Sequence, residues 1–294
     1  MQRFSIKDIE ALTGIKQHTL RIWEQRYNLP QPKRTTTNIR YYDDADLKLM
    51  LNVSMLNRFG VKISKITKLT EQEIERMVLA YMEKDQSDTV LTESLTNAML
   101  QLDEMAFEKI LSKNILQHGL EKTMLEVIFP FLKKIGVLWQ SGNINPAYEH
   151  FIANLVRQKL MVAIDGQYKH ITPQTKKFIL FLPAGEPHEL GLLFANYLIR
   201  VRGHHTIYLG QNLPLADLVS VSNAYKADYV ISVLTSTFKL KDTQDFVKAI
   251  AERFPLAKIL LSGNQLLNKG IYIPKNVMVI DDLERFTRFV DTLE

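Results

Sequence analysis

The stretch Lys177-Phe-Ile-Leu-Phe-Leu182, running on into Pro183-Ala-Gly185-Glu186-Pro-His188-Glu-Leu-Gly191, decides the architecture of the last third of the chain. A short apolar run, bounded by charge on one side and by a Pro-Ala-Gly turn on the other, is what a strand buried on both faces of a parallel sheet requires. A helix follows it. Downstream the pattern recurs as strand His205 to Leu209, helix Leu215 to Tyr225, strand Tyr229 to Leu234, helix Asp242 to Phe254, strand Lys258 to Leu261, strand Val277 to Ile280 and a closing helix from Leu283. Strands and helices alternating at this spacing predict an α/β doubly wound domain over residues 176–294. If its strand order is the flavodoxin-like 2-1-3-4-5, the first and third strands part and leave a crevice outside their carboxyl ends, where ligands bind.

Three segments converge on that rim: Glu186-Pro-His188-Glu-Leu-Gly191, Ser232-Val-Leu234 and Ser262-Gly263. A loop histidine with a carboxylate two residues before it can offer one ring nitrogen to a metal while the carboxylate orients the other. Glu186 is placed to be that carboxylate. Gly191 allows a bulky ligand close to the helix start, and Ser232 can hydrogen-bond a buried polar tail. The chain has no cysteine, which excludes disulfides, iron–sulfur clusters, thiolate zinc and cysteine nucleophiles. One histidine does not hold a bare metal, so a metal carried inside a cofactor fits better.

Upstream, helical periodicity fills residues 91–175. Leu95, Met99 and Leu102, then Ile110, Ile115, Leu120, Met124, Ile128, Leu132 and Ile135, and later Phe151, Leu155 and Leu160 predict a four-helix bundle. Gly142-Asn-Ile-Asn-Pro146 interrupts the last pair, flanked by Trp139 and by Glu149-His150. Taken alone, these read as a core tryptophan and a surface or capping pair. Before the bundle, Thr70 with Glu73 forms a capping box for a linker helix within residues 73–90, with Ile74, Met77, Val78 and Tyr81 as its apolar stripe.

With 294 residues, 46% of them hydrophobic and 23% charged, the chain is a soluble globular protein of about two domains' length. No apolar run approaches the ~18 residues of a membrane span. Arg3, Lys7, Asp8 and Glu10 occupy the place of a signal peptide's apolar stretch, so the expected location is cytoplasmic, without membrane partners. Charge is unevenly spread: residues 1–68 hold 13 Lys or Arg against 6 Asp or Glu, leaving 24 against 26 for the rest. A basic head on a slightly acidic body suits a nucleic-acid-binding module joined to another kind of domain, although a solvated basic face would give the same count. Within the head, Ser5 and Asp8 start a helix with Ile6, Ile9 and Leu12 on one side, and Gly14 ends it. From Lys16 to Tyr27 a second helix turns Leu20, Trp23 and Tyr27 inward and Gln17, His18, Arg21 and Gln25 outward. Pro30 to Tyr42 reads as a β-hairpin; Asp43 or Asp44 caps a third helix to about Arg58, and Ile63, Ile66 and Leu69 mark a short fourth.

Arg21-Ile-Trp-Glu24, then Pro32-Lys-Arg34, then Arg40-Tyr-Tyr42 before an acidic cap resembles, over residues 3–72, the winged helix-turn-helix head of MerR-type transcription regulators. The resemblance implies a domain of residues 1–72 that binds double-stranded operator or promoter DNA as a dimer or tetramer. By it His18, Thr19 and Arg21 lie on the recognition helix, and Arg34, Arg40 and Tyr42 belong to the wing. MerR-type metal sensors use cysteines, so the signal here is something else. The rim motifs, with 40 residues between Gly191 and Ser232 and 27 between Leu234 and Ser262, resemble the cobalamin-binding domain of methionine synthase and its relatives. That resemblance makes His188 the lower axial ligand of cobalt, with Glu186, Gly191, Ser232, Leu234 and Gly263 around the cofactor and its nucleotide tail. Two departures are Glu186 for the usual Asp and Ser262 for the first glycine of a pair, which adds bulk where the tail passes.

Trp139, nine residues, then Glu149-His150 is similar to the signature of light-responsive MerR-type cobalamin repressors of carotenoid synthesis. There these residues shield the upper face of adenosylcobalamin, and the residue after the tryptophan is typically a histidine where this chain has Gln140. The implied protein is a photoreceptor repressor, not an enzyme. Two alternatives stand beside it: a MerR-type regulator whose sensory domain has lost cobalamin and answers to a protein or another ligand, and a methyl-transfer or mutase component. The latter needs a substrate-activating domain, for which no segment is left over.

Overall fold

The computed structural model describes residues 3–35, 38–82, 88–140, 145–167, 172–235, 240–266 and 270–293. The chain divides into two compact units, Met1–Leu155 and Val156–Glu294.

The first unit begins with α1 (Ile6–Thr13), capped reciprocally by Ser5 and Asp8 and stopped by Gly14 at φ 75. That left-handed turn leads into α2 (Gln17–Tyr27). A hairpin follows, β1 (Lys33–Arg34) antiparallel to β2 (Arg40–Tyr41), and then α3 (Asp44–Arg58), whose N-cap Asp43 exchanges bonds with Asp46. Asp43 also pairs with Lys33, so the cap holds the hairpin to the helix. Phe4, Ile9, Leu12, Leu20, Trp23, Tyr42, Leu47 and Met50 are buried, and Ser54 Oγ donates to the Thr13 carbonyl at 2.7 Å. After the short α4 (Ile63–Ile66), α5 (Glu71–Met82) starts at the Thr70–Glu73 box expected for it. It folds back on α3, with the Phe59 and Tyr81 rings stacked at 4.8 Å.

The bundle helices are α6 (Asp88–Leu100), α7 (Glu104–His118), α8 (Leu120–Thr123) continuing through a π-helical turn at Met124–Ile128 into α9 (Phe129–Gln140), and α10 (Pro146–Asp165). The π turn has a local cause. Pro130 carries no N–H for the regular ladder, and the Phe129 N–H reaches back to the Met124 carbonyl instead. Lys134 on α9 donates to the Leu12 carbonyl of α1 at 3.3 Å, and burial pushes its pKa down. The expected interruption at residues 142–146 lies largely outside the described residues, with Pro146 opening α10.

The second unit is a five-stranded, all-parallel sheet in the order β4-β3-β5-β6-β7. Its elements are β3 (Lys177–Pro183), α11 (Leu190–Val201), β4 (His205–Leu213), α12 (Leu218–Ala224), β5 (Tyr229–Val233), α13 (Leu240–Arg253), β6 (Lys258–Ser262), β7 (Val277–Ile280) and α14 (Leu283–Asp291). In sequence of strands this is 2-1-3-4-5, the flavodoxin-like order. β3 is buried on both faces from Phe178 to Pro183. One difference from the sequence reading is that β4 runs on to Leu213. Register shifts after Leu180 and Phe181, with Gly210 at φ 78, keep it paired as far as Pro183↔Leu213. The turn at Pro214–Asp217 then starts α12 at Leu218, later than expected. Among the described residues no helix is long and apolar enough to cross a membrane.

Candidate functional site

The loop between β3 and α11 carries the chemistry. Glu186 has a fully buried side chain. Its Oε1 accepts the His188 backbone N–H at 3.1 Å and lies 2.6 Å from His188 Nδ1, while its Oε2 accepts the Thr235 N–H at 2.6 Å. Gln211 Nε2 donates to the Pro187 carbonyl at 2.7 Å, and the Gly185 N–H donates to Asn212 Oδ1 at 3.0 Å. The overhanging end of β4 therefore braces the loop from one side and the segment after β5 from the other. With a carboxylate at Nδ1, the tautomer that donates from Nδ1 presents Nε2 as a lone-pair donor on the opposite edge of a half-exposed ring. That is the arrangement of a metal-binding histidine oriented by a carboxylate.

Ser232 on β5 is completely buried, and its Oγ has no hydrogen-bond partner among the described residues. An orphaned buried hydroxyl costs about 1–3 kcal/mol, which a ligand's polar atom would offset. At Gly191, the second residue of α11, nothing lies within 4 Å of where a Cβ would stand. Gly263 is different: at φ 119 its Cβ would meet the Leu234 carbonyl oxygen at 2.1 Å. The Leu234 N–H donates to the Ser262 carbonyl at 2.7 Å, and the Leu234 side chain is in the core. Leu234 and Gly263 thus form the rim through their backbones. The residues fit a metal-bearing cofactor: an oriented imidazole, an unsatisfied buried hydroxyl and open space at a helix start. Among the described residues no group of three His, Asp or Glu could hold a metal ion alone.

Glu149 ends the first turn of α10 and His150 begins the second, with Glu149 Oε2 3.6 Å from His150 Nδ1 and the His150 side chain 74% exposed. Trp139 and Gln140 end α9, and their side chains lie outside the described residues. Two clefts of the first unit, of about 380 and 680 Å³, are lined by none of the residues expected at a cofactor.

On the head, His18 and Arg21 are exposed on α2 and Thr19 is half-buried beside them. Arg34 is exposed on β1 with its guanidinium on Asn38 Oδ1 at 2.8 Å, and Arg40 on β2 has Nε 3.3 Å from Glu24. Tyr42 corrects the sequence reading. It is 1% exposed, bridged to Phe4 through paired backbone bonds, and its phenol pKa is raised by burial. Its ring is core, so it offers no surface to DNA.

Sequence reasoning missed the residues that hold the loop: Thr235, Gln211, Asn212 and, on Glu189, Tyr208 and Arg157. Tyr208 OH donates to Glu189 Oε2 at 3.0 Å, and burial together with the Glu189 charge keeps its pKa high. None of these carries a local signal, because each reaches the loop from another element; only Glu189, next to His188, lay within the motif.

Residues 4–73 match the family of MerR HTH family regulatory proteins, and residues 91–163 match the B12 binding domain. The chain is 27% identical over 262 residues to the HTH-type transcriptional repressor CarH of Myxococcus xanthus, covering 86% of this chain and 85% of that one. It is 26% identical over 227 residues to the repressor CarA of the same organism, covering 76% and 74%. In fold it is similar to the monomethylamine corrinoid protein of Methanosarcina barkeri, at TM-score 0.56 and 11% identity over 70% of this chain and all of that one. The chain therefore joins a MerR-type helix-turn-helix head to a B12-binding region.

Proposed function

We propose that this chain is a transcription regulator, a repressor, that binds double-stranded operator DNA through its head and is controlled by cobalamin and by light. The observation that carries the cobalamin reading is His188 oriented by the buried Glu186 beside the orphaned hydroxyl of Ser232. Similarity to CarH and CarA over most of the chain supports the regulatory output. In this reading His188 Nε2 would hold the cofactor's cobalt, Ser232 would bond its nucleotide tail, and the gap at Gly191 would admit that tail. Trp139, Glu149 and His150 would shield an adenosyl group carried by the cofactor. Adenosylcobalamin supplies a cobalt–carbon bond that visible light breaks. His18, Thr19 and Arg21 face base edges and Arg34 and Arg40 the phosphates. One short recognition helix reads few base pairs, so two half-sites and a dimer or tetramer are required.

The test is uptake of adenosylcobalamin in the dark, followed by gel filtration and an absorption spectrum. Wild type should retain the cofactor with an imidazole-ligated spectrum. His188→Ala should lose that ligation while keeping weak uptake, because its other contacts are spread over a large cofactor. Identical spectra for the two would remove His188 as the ligand; DNA binding without any uptake by wild type would favour a regulator that answers to another signal.

A further inference from the structure

The residue after His188 is tied to α10 through Arg157, a residue that the site as read above does not use. Glu189, 7% exposed, precedes α11, and its carboxylate is shared between two other elements. Oε2 accepts the Tyr208 hydroxyl of β4 at 3.0 Å, and Oε1 meets Arg157 Nε of α10. Glu189 O also accepts the Leu193 N–H at 2.8 Å, so its backbone is fixed as well. Glu186 thus sets the ring of His188, and Glu189 sets the backbone on which that ring stands. On α10, His150 lies seven residues before Arg157, almost two turns, so both project from one face about 10 Å apart along the axis.

We infer that Glu189, held by Arg157 and Tyr208, is a positioning residue that clamps the His188 loop to α10, so that what His188 binds is communicated to the helix carrying Glu149 and His150. The inference rests on the cobalamin reading. A buried carboxylate with two directional partners is stiff, and moving the loop requires either breaking a charged bond or moving α10 with it.

Two measurements on the full chain test it. In cofactor-free protein, hydrogen exchange of Arg157→Gln and Glu189→Gln should rise roughly tenfold in residues 157–165 and 188–193 together, with β6 unchanged. In protein loaded with adenosylcobalamin in the dark, the same variants should show roughly tenfold weaker His188–cobalt ligation in the absorption spectrum, with Arg157→Lys recovering most of it. Exchange rising in only one of the two segments, or ligation equal to wild type, would overturn the clamp while leaving the site reading intact. A wild type that takes up no cobalamin would overturn both. Tyr208→Phe, which keeps the ring and removes one bond, guards against misfolding; its effect should be smaller and in the same direction.

Discussion

Glu186 is one methylene longer than the aspartate usual at its position in the family it resembles, and the structure gives that length a use: Oε2 reaches the Thr235 N–H after β5 while Oε1 keeps His188. The pairing of Glu186 with His188 was legible because the two are neighbours in the chain; the Thr235 contact was not, since 48 residues separate it from Glu186 and only the β3–β5 pairing brings them together. Gly263 and Ser232 separate structural from ligand roles at this scale. Gly263→Ala should destabilise the cofactor-free second unit by about 1–3 kcal/mol from its φ alone, with the Leu234 backbone adding to that. Ser232→Ala should leave cofactor-free stability unchanged or raised, since it deletes an unsatisfied hydroxyl, yet weaken cobalamin uptake. Urea unfolding and cobalamin titration of both variants check this. If Ser232→Ala takes up cobalamin as wild type does, its hydroxyl is not a tail contact.

Caps made the helical elements readable before their packing was known. Ser5 with Asp8 and Thr70 with Glu73 each close within three residues, so sequence alone places the starts of α1 and α5, and it narrows that of α3 to Asp43 or Asp44, of which the structure takes Asp43. The end of β4 and the start of α12 depend on register with β3, a non-local property, and there the reading fell short. The wing shows the same limit. Composition marks the stretch ending in Arg40, Tyr41 and Tyr42 as a hairpin, but only the Phe4 bridge decides that Tyr42 turns inward while Arg40 stays at the surface. Arg21 and Arg34 are then the cleaner probes of the head. Arg21→Ala should weaken specific operator binding by about 1–3 kcal/mol, whereas Arg34→Ala should weaken binding to all sequences and reduce the salt slope by about one. Shift assays over a range of salt distinguish them, and variants that bind as wild type would withdraw these contacts.

At the scale of the molecule, the order of head, bundle and parallel sheet was legible because the excess positive charge marks the head and the change from continuous helical periodicity to alternating strands and helices marks the sheet. The boundary between the compact units was not: it falls inside α10, a continuous helix with unbroken periodicity. Loss of the adenosyl group on illumination would remove what Trp139, Glu149 and His150 are proposed to shield, and the proposed oligomer would lose whatever packing depends on it. Illumination should therefore lower both mass in sedimentation and affinity for operator DNA. Gln140 sets the expected end state. A side-chain amide is a far poorer cobalt ligand than an imidazole, so where the light-responsive family it resembles typically has a histidine after the tryptophan, this chain has no strong donor at that position. The lit spectrum should accordingly show one imidazole ligand, from His188, and Gln140→His should convert it to a spectrum with two. Unchanged mass and DNA affinity after full photolysis would end the light-switch reading. A lit spectrum with two imidazoles in wild type that reverts to one in His150→Ala would instead give His150 the place that Gln140 leaves open.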